Sequence, residues 1–233
     1  MTDFEDLSFD PDQFSGTVRI FPLPNLVMFP HVMQPLHVFE QRYRDLTEAA
    51  LADDRLIALG VLAPGWESDY EGRPPLHSAA CLGRIAAHQR LDGGRHNLLL
   101  LGQRRIRITG ELPGAESYRR AHVELIDDIY PAATAPQRPR LKRSLTEAFS
   151  HLLPSSGETR QQLEQFLHGD TSLGVLTDVV AFALDLPIDV KVRLLAEANV
   201  DTRAALLAEK VAAAGPLAPD ASARSFPPDF SAN

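Results

Sequence analysis

The sequence predicts an α+β protein: a small β-barrel with one inserted helix, followed by a C-terminal α-helical bundle. Three observations carry that prediction. Short apolar runs separated by turns, several with strict alternation, fill residues 17–130. Every apolar run after residue 140 has helical spacing instead. Between them lies PAATAPQRPR, residues 131–140, a Pro- and Ala-rich divider. The expected organisation is a disordered acidic arm (1–16), a barrel (17–130), a Pro-rich linker (131–140), a helical bundle (141–214) and a disordered tail rich in proline and small polar residues (215–233).

In chain order, Val18 and Ile20 alternate with Thr17 and Arg19, the signature of a half-buried strand. Pro22, Pro24, Pro30 and Pro35 follow. Proline lacks an N–H, so this piece is expected to be extended chain and turns, paired only at its ends. Phe39, Tyr43, Leu46 and Ala50 share one helical face, with Glu40–Arg44 and Arg44–Glu48 as opposite-charge pairs beside it, which predicts a helix over about 40–52. LIALGVL (56–62) reads as a buried strand, and 63–78 as a long surface loop. CLGRIAAHQRL (81–91) and HNLLLLGQRRIRITGEL (96–112) read as two strands joined by a turn at Asp92-Gly93-Gly94. Gly102 inside the second suggests a bulge or bend of the kind a small closed sheet requires. RRAHVELIDDI (119–129) alternates again. In the second half, Leu141, Leu145, Phe149 and Leu152 mark one helix, and Leu163, Phe166 and Leu167 another. Leu173–Leu186, apolar nearly all round, predicts the central buried helix. Pro187 suits the start of the next, with Val192 and Leu195 inward, and Asp201 is the expected N-cap of a last helix carrying Ala204, Leu207 and Val211.

Composition narrows the function. The 233 residues are 44% apolar, enough for a core. The longest apolar segment, 175–186, is interrupted by Thr177, Asp178 and Asp185, which argues against a membrane span. MTDFEDLSFD has neither a basic nor an apolar leader, so a cytoplasmic location is expected. Cys81 is the only cysteine, which excludes an intramolecular disulfide or a Cys-based zinc site, and it reads as a packed thiol. Net charge is −8, but five acids sit in residues 1–16 without a base, leaving −3 for the rest of the chain. With only three lysines, Lys142, Lys191 and Lys210, there is no global basic field for nucleic acid.

Catalytic constellations are missing. There is no G-x-x-x-x-G-K-[ST], no G-x-S-x-G and no H-E-x-x-H. Ser144 and Lys142 are two residues apart on a predicted helix and face apart, so they are no Ser–Lys dyad. His31 and His37 flank Pro35 and read as surface or edge histidines, a metal pair being the alternative. No cofactor is expected. Two clusters remain. Arg104, Arg105 and Arg107 are either the solvated face of an amphipathic strand or a basic stripe lining a groove for a carboxylate or phosphate. Val27-Met28-Phe29-Pro30 with Val32-Met33 either packs over the barrel end or forms an exposed apolar contact surface.

FPLPNLVMFPHVMQPLHVFEQRYRDLTEAAL (21–51) resembles the opening of the Lon protease N-terminal, substrate-binding domain. LGRIAAHQRLDGGRHNLLLLGQRRIRI fits that family's G-x-I … G-x-x-R-x-x-I stretch through Gly83, Ile85, Gly102, Arg105 and Ile108. LTDVVAFALDLPIDVKVRLLAEANVDTRAALLAEKV resembles its helical close, so the likeness spans about residues 18–213. The PLHVFEQRYR wording is nearer to stand-alone members and RING-type Lon-domain proteins than to the protease. The resemblance implies a PUA-like barrel followed by a helical bundle, and protein or peptide binding, without the ATPase and Ser–Lys peptidase modules, which 233 residues could not hold.

The expected function is therefore a non-catalytic protein- or peptide-binding module, an adaptor in protein quality control or proteolysis. Its expected partners are unfolded or peptide segments of other proteins, with a protease in trans as a second partner. Nucleic acid and membrane are not expected. An RNA-binding PUA-like protein and a hydrolase with an unrecognised site are the alternatives, the first resting on fold analogy alone. The candidate peptide-contacting residues are Met28, Phe29, His31, Met33, Tyr43, Arg105 and Arg107. Opposite charge alone suggests that the acidic arm folds back onto Arg104–Arg107.

Overall fold

The computed structural model describes residues 9–70, 72–150 and 169–214. Its strands are β1 (Thr17–Leu23), β2 (Met33–Val38), β3 (Leu56–Leu62), β4 (Leu76–Arg90), β5 (His96–Leu112) and β6 (Arg119–Ile126). β1 pairs in parallel with β3 and antiparallel with β6, and β3–β4, β4–β5 and β5–β6 complete a closed five-stranded ring. β2 lies outside the ring, paired with the first part of β5. The length of β5 makes this possible: His96–Leu101 pairs with β2, Arg105–Leu112 pairs with β6, and β4 runs beside both stretches.

The alternating side chains explain why the ring closes. Val18, Ile20, Leu56, Ala58, Ala80, Leu82, Ile106, Ala121 and Val123 form one small core, with three alanines keeping the interior narrow. The opposite faces, Phe21, Leu23, Ile57, Leu59, Cys81 and Ile85 among them, form a larger core with α1 and the helical bundle. The strands are thus buried on both faces, which is why LIALGVL reads as a continuous apolar run. Cys81 sits wholly inside, and burial pushes its thiol up from the ordinary range.

Two prolines lie within strands where no strand had been expected to pair. β6 covers only Thr17–Ile20 of β1, so Pro22 has β3 on one side alone. β2 pairs only with β5 and carries Pro35 on that edge, the position a sheet allows proline. The helix α1 (Gln41–Leu51) buries Tyr43, Leu46 and Ala50, with Tyr43 stacked on Phe21 at 4.2 Å between ring centres. Phe39 precedes that helix and remains exposed, and Arg44 reaches the carbonyl of Gly93 rather than its helical neighbours Glu40 and Glu48.

Gly102 is the tightest point of the barrel. The register slips there, with Leu82 opposite Arg104 and Gly83 opposite Gly102, the expected bulge. The loop before β2 presses directly on it: His31 N–H donates to Gly102 O (2.9 Å) and Gly102 N–H to Val32 O (2.9 Å). A Cβ at Gly102 would collide with the carbonyl oxygen of Phe29 and lie 3.1 Å from Pro30 Cα.

Among the described residues the bundle has α2 (Arg138–Ser150), α3 (Leu173–Ala183), α4 (Ile188–Ala196) and α5 (Val200–Ala214). Ser172 caps α3 by accepting from Val175 N–H (3.2 Å). Val192 and Leu195 of α4 face inward as expected. Asn199, not Asp201, caps α5, its Oδ1 accepting from Asp201 N–H (3.0 Å) and Thr202 N–H (3.2 Å). Asp201 instead accepts two bonds from Arg138 Nε (2.8 and 3.1 Å) and one from Thr134 Oγ1 (2.5 Å), and the bond from Arg138 holds its carboxyl below the usual value. The Pro-rich stretch is therefore no plain tether, because Ala132–Gln137 is a 3-10 turn running straight into α2.

The expected helix at Leu163–Leu167, with Leu152, lies outside the described residues, as do residues 1–8 of the arm and the tail from 215. Residues 9–16 correct the expectation of a disordered arm. Phe9 and Phe14 meet edge-to-face (5.6 Å) and pack on the smaller core, with a 3-10 turn, Pro11–Gln13, between them. No helix among the described residues is long and apolar enough to cross a membrane.

Gly102→Ala should destabilise the protein by about 3 kcal/mol in urea titrations, because the new methyl meets fixed backbone. Gly110→Ala, whose Cβ would meet nothing within 4 Å, should be near neutral. A second expectation concerns pH. His96 is buried, neither of its ring nitrogens has a hydrogen-bond partner, and burial lowers its pKa against the pull of Glu48, with Arg90, His88 and Arg44 adding to the fall. The unfolded chain then binds the proton more readily, so stability is lost as pH falls through about 6.5. His96→Phe should flatten the decline in Tm between pH 7.5 and 5.5.

Candidate functional site

Where β5 leaves β2 and turns into the closed ring, a cleft of about 380 Å³ opens beside the bundle. Phe9, Pro30, Leu101 and Ile126 supply its apolar wall, and His31, Gln103, Arg104, Arg105 and Asp128 its polar one. The bulge at Gly102 creates this shape. It turns β5 so that Leu101 and Arg105 both face the same hollow, and it seats the loop Pro30–His31 along one rim. His31 takes a left-handed backbone (φ 67°), which carries the chain across that rim into β2.

The floor of the cleft is a buried charge network. Ile106 points into the ring, so alternation sends Arg105 the other way, toward the bundle. There Arg105 meets Asp178 of α3, and its Nη1 donates to Asp128 Oδ1 (3.2 Å). Arg203 of α5 donates from Nη2 to both oxygens of Asp128 (2.9 and 3.0 Å) and from Nη1 to Glu197 O (2.7 Å), and its Nε lies 3.5 Å from Asp178 Oδ1. Asp178 and Arg203 are wholly buried, and Arg105 is 3% exposed. Burial pushes the Asp178 carboxyl up from the usual carboxylate range, and the two guanidinium groups pull it back. Gly174 lets the network close, since a Cβ there would strike Asp128 and Tyr130, whose hydroxyl accepts from Gly174 N–H (3.2 Å). The Arg105 Nε–H is buried without an acceptor and Asp178 Oδ2 is buried without a donor, so the network closes with these groups unmatched.

The sequence-predicted contact residues divide sharply. Met28 and Phe29 are buried at 1% and 0%, so the packing reading describes them and the exposed-surface reading does not. Tyr43 is likewise covered, by Phe21 and the Arg42 side chain. Met33 is exposed and pairs across the sheet with Leu101 of the cleft, and His31 stands on the rim. Arg105 is neither a solvated residue nor a free basic stripe: it is paired with two aspartates. Arg107, exposed, pairs with Glu124 (3.3 Å) away from the cleft lining. His37 meets Asn97 Oδ1 (2.7 Å) farther along β2. Leu101, Ile126, Asp128, Asp178 and Arg203 were missed. The signal for the last two was legible: one acid inside the apolar run 173–183, and one arginine among the alanines and leucines of α5, need partners once buried.

No group of three or more metal-ligating side chains comes together among the described residues. What the cleft can do chemically is hold an apolar side chain against Leu101 and Ile126 while donating hydrogen bonds from Arg104, 40% exposed on its side chain and 3.6 Å from the open Asp127. Ile129 and Tyr130, both exposed, follow Asp128 in the chain and extend apolar surface from its border.

Comparison with known proteins gives a consistent answer. The sequence model of the ATP-dependent protease La (LON) substrate-binding domain matches residues 17–212. The chain is 25% identical over 198 residues to the Lon protease of Cytophaga hutchinsonii, a match covering 84% of this chain and 24% of that protein. It is 31% identical over 180 residues to the Lon protease of Roseiflexus castenholzii, covering 76% and 21%. The chain thus spans about a quarter of the length of such curated relatives. Among solved structures, the N-terminal domain of Mycobacterium avium complex Lon protease superposes with a TM-score of 0.65 at 18% identity, over 84% of this chain and 98% of that one. A Lon N-terminal domain protein from Xanthomonas campestris gives 0.56 at 20%, over 84% and 97%.

Breaking the network on one side should be costly. Asp178→Ala leaves the buried Arg105 and Arg203 with Asp128 as their one remaining carboxylate and should lower stability by about 3–5 kcal/mol. Arg107→Ala, which removes an exposed pair, should change it by less than about 1 kcal/mol. Thermal and urea unfolding of the two variants checks the contrast.

Proposed function

The chain belongs to the family of ATP-dependent protease La (LON) substrate-binding domains, and from that premise we propose that it is a non-catalytic recognition module that binds unfolded or extended segments of other proteins and presents them to a protease acting in trans. The observation that carries this reading is the cleft itself, a hollow of mixed character with Leu101 and Ile126 on its apolar wall and the part-exposed Arg104 on its polar one, and with the exposed Met33 paired beside Leu101 in the sheet. A hollow with an apolar wall facing a polar one suits a polypeptide, which offers a side chain and backbone polar groups at every register. The family's name supplies the substrate class. The sequence carries no Walker G-x-x-x-x-G-K-[ST] and no H-E-x-x-H motif.

The distribution of arginines speaks against the RNA alternative. Arg19 is held by Asp53 and Asp54, Arg119 by Glu111, Arg120 by Glu116, Arg107 by Glu124 and Arg138 by Asp201. Cations already matched to carboxylates do not form the open stripe that a phosphate backbone requires.

Binding of an unfolded, fluorescently labelled casein should be measurable with the purified chain, and Met33→Asp or Leu101→Gln should weaken it at least tenfold while Tm changes little. Unaltered binding in both variants would overturn the assignment to this cleft. Casein cleaved by the pure chain, at a rate abolished by one substitution, would overturn the non-catalytic reading.

A further inference from the structure

Among the described residues the sheet has one bare border. Its strand order ends at β2 and β6, but β6 turns back to pair with β5, so only the outer side of β2 faces no strand. One hydrogen bond fixes which backbone groups point out from it. Gly102 N–H donates to Val32 O, and in an antiparallel ladder this makes Met33–Leu101 a pair that exchanges no bonds of its own. Gln34, Leu36 and Val38 therefore bond to β5, while Met33, Pro35 and His37 turn their backbone groups outward. Pro35 has no N–H to offer, and its carbonyl already accepts from Gln34 Nε2 (2.8 Å). What the border leaves open is thus the N–H and C=O of Met33 and of His37, placed symmetrically about a silent Pro35, and no other backbone bond among the described residues reaches them. Two exposed apolar side chains flank it, Met33 at one end and Phe39, just past β2, at the other, with the His37 ring 6.1 Å from that of Phe39.

We propose that the outer edge of β2 pairs antiparallel with the same edge of a second copy of this chain, about a two-fold axis through Pro35. In that register Met33 lies opposite His37 of the second copy, and each such pair exchanges N–H···O bonds in both directions, so every open donor and acceptor of the border is matched. Pro35 meets Pro35, where neither copy asks for a bond. A generic extended segment fits less well, because the N–H and C=O it brings opposite Pro35 stay unpaired. A register shifted by two residues sets Pro35 against Met33 or His37 and strands their groups instead. The side chains agree with the backbone. Met33 sits against His37 of the second copy and diagonally from its Phe39, so the apolar groups exposed on one chain cover those of the other through a thioether–aromatic contact. The edge is short, which places this dimer among the weak, reversible ones. The inference goes beyond the reading of the cleft and does not need it.

Sedimentation equilibrium of the full chain over a rising concentration series should show a reversible monomer–dimer equilibrium. Met33→Lys, which puts a charge on the exposed end of the border, should weaken it at least about tenfold with little change in Tm. Disulfide trapping reads the register. Like positions of the two copies lie about 13 Å apart along the strands, beyond the roughly 7 Å that a disulfide spans. Met33→Cys and His37→Cys should therefore each give little covalent dimer when oxidised alone, and a disulfide-linked pair when mixed. Cys81 is wholly buried and does not compete. A chain that stays monomeric throughout the series overturns the inference. So does a dimer that Met33→Lys leaves intact, or a mixture that cross-links no better than its components. Edge amides protected from hydrogen exchange by unfolded casein, on a chain that remains monomeric, would assign the border to an extended client and overturn the self-pairing as well.

Discussion

Buried Arg105, Arg203 and Asp178, with the part-exposed Asp128, fix how the barrel and the bundle meet. Arg105 comes from the sheet, Asp178 and Arg203 from different helices, and Asp128 from the segment that joins β6 to the bundle. Each acid is shared by both cations, so no member can move without stranding another. Desolvating such groups costs about as much as their attraction returns, and an apolar cluster of the same volume would hold as well or better. What an apolar cluster would lack is direction. Hydrogen bonds at fixed lengths and angles specify a single seating of α3 and α5 on β5. That seating leaves the hollow beside Gly102 open rather than collapsed.

The cleft and the close-packed point beside it share one cause. Gly102 lets the loop Phe29–His31 lie directly on the sheet, and the slipped register that follows turns Arg105 toward the bundle. Met28 and Phe29, drawn under by that close approach, become core. Met33, four residues beyond, emerges on the outer side of β2. Exposed edge and foundation therefore come from one short stretch of chain, with His31's left-handed turn as the boundary between them.

Much of this fold was legible in the sequence. LIALGVL, the 96–112 strand with its glycine bulge, the helix after Phe39 and the buried helix from Leu173 all follow from periodicity, because burial on a defined face leaves a defined pattern. β2 was not legible, since Pro35 argues against a strand unless one knows that the strand lies at an edge. The N-cap of α5 was placed two residues late, because Asp201 has the right chemistry for a cap and only tertiary structure shows that Arg138 claims it. The site was harder. Arg105 looks like its exposed neighbours in sequence, and its partner Asp178 lies 73 residues away. Periodicity reports which face is buried, not which distant charge will meet it there.

The parallel pairing of β1 with β3 and its antiparallel pairing with β6 have an outcome for the order of assembly. Thr17 finds its cross-strand neighbour only at His122, about a hundred residues later. A ribosome extends the chain from its first residue, so β1, β3 and β4 emerge and can associate while one border of β1 is still bare. The ring cannot seal until Ile126 has cleared the exit tunnel, and a contact pattern this non-local is slow to complete even in a free chain. A nascent polypeptide halted before β6 would present an unsealed strand border, open to pairing with any other chain it meets.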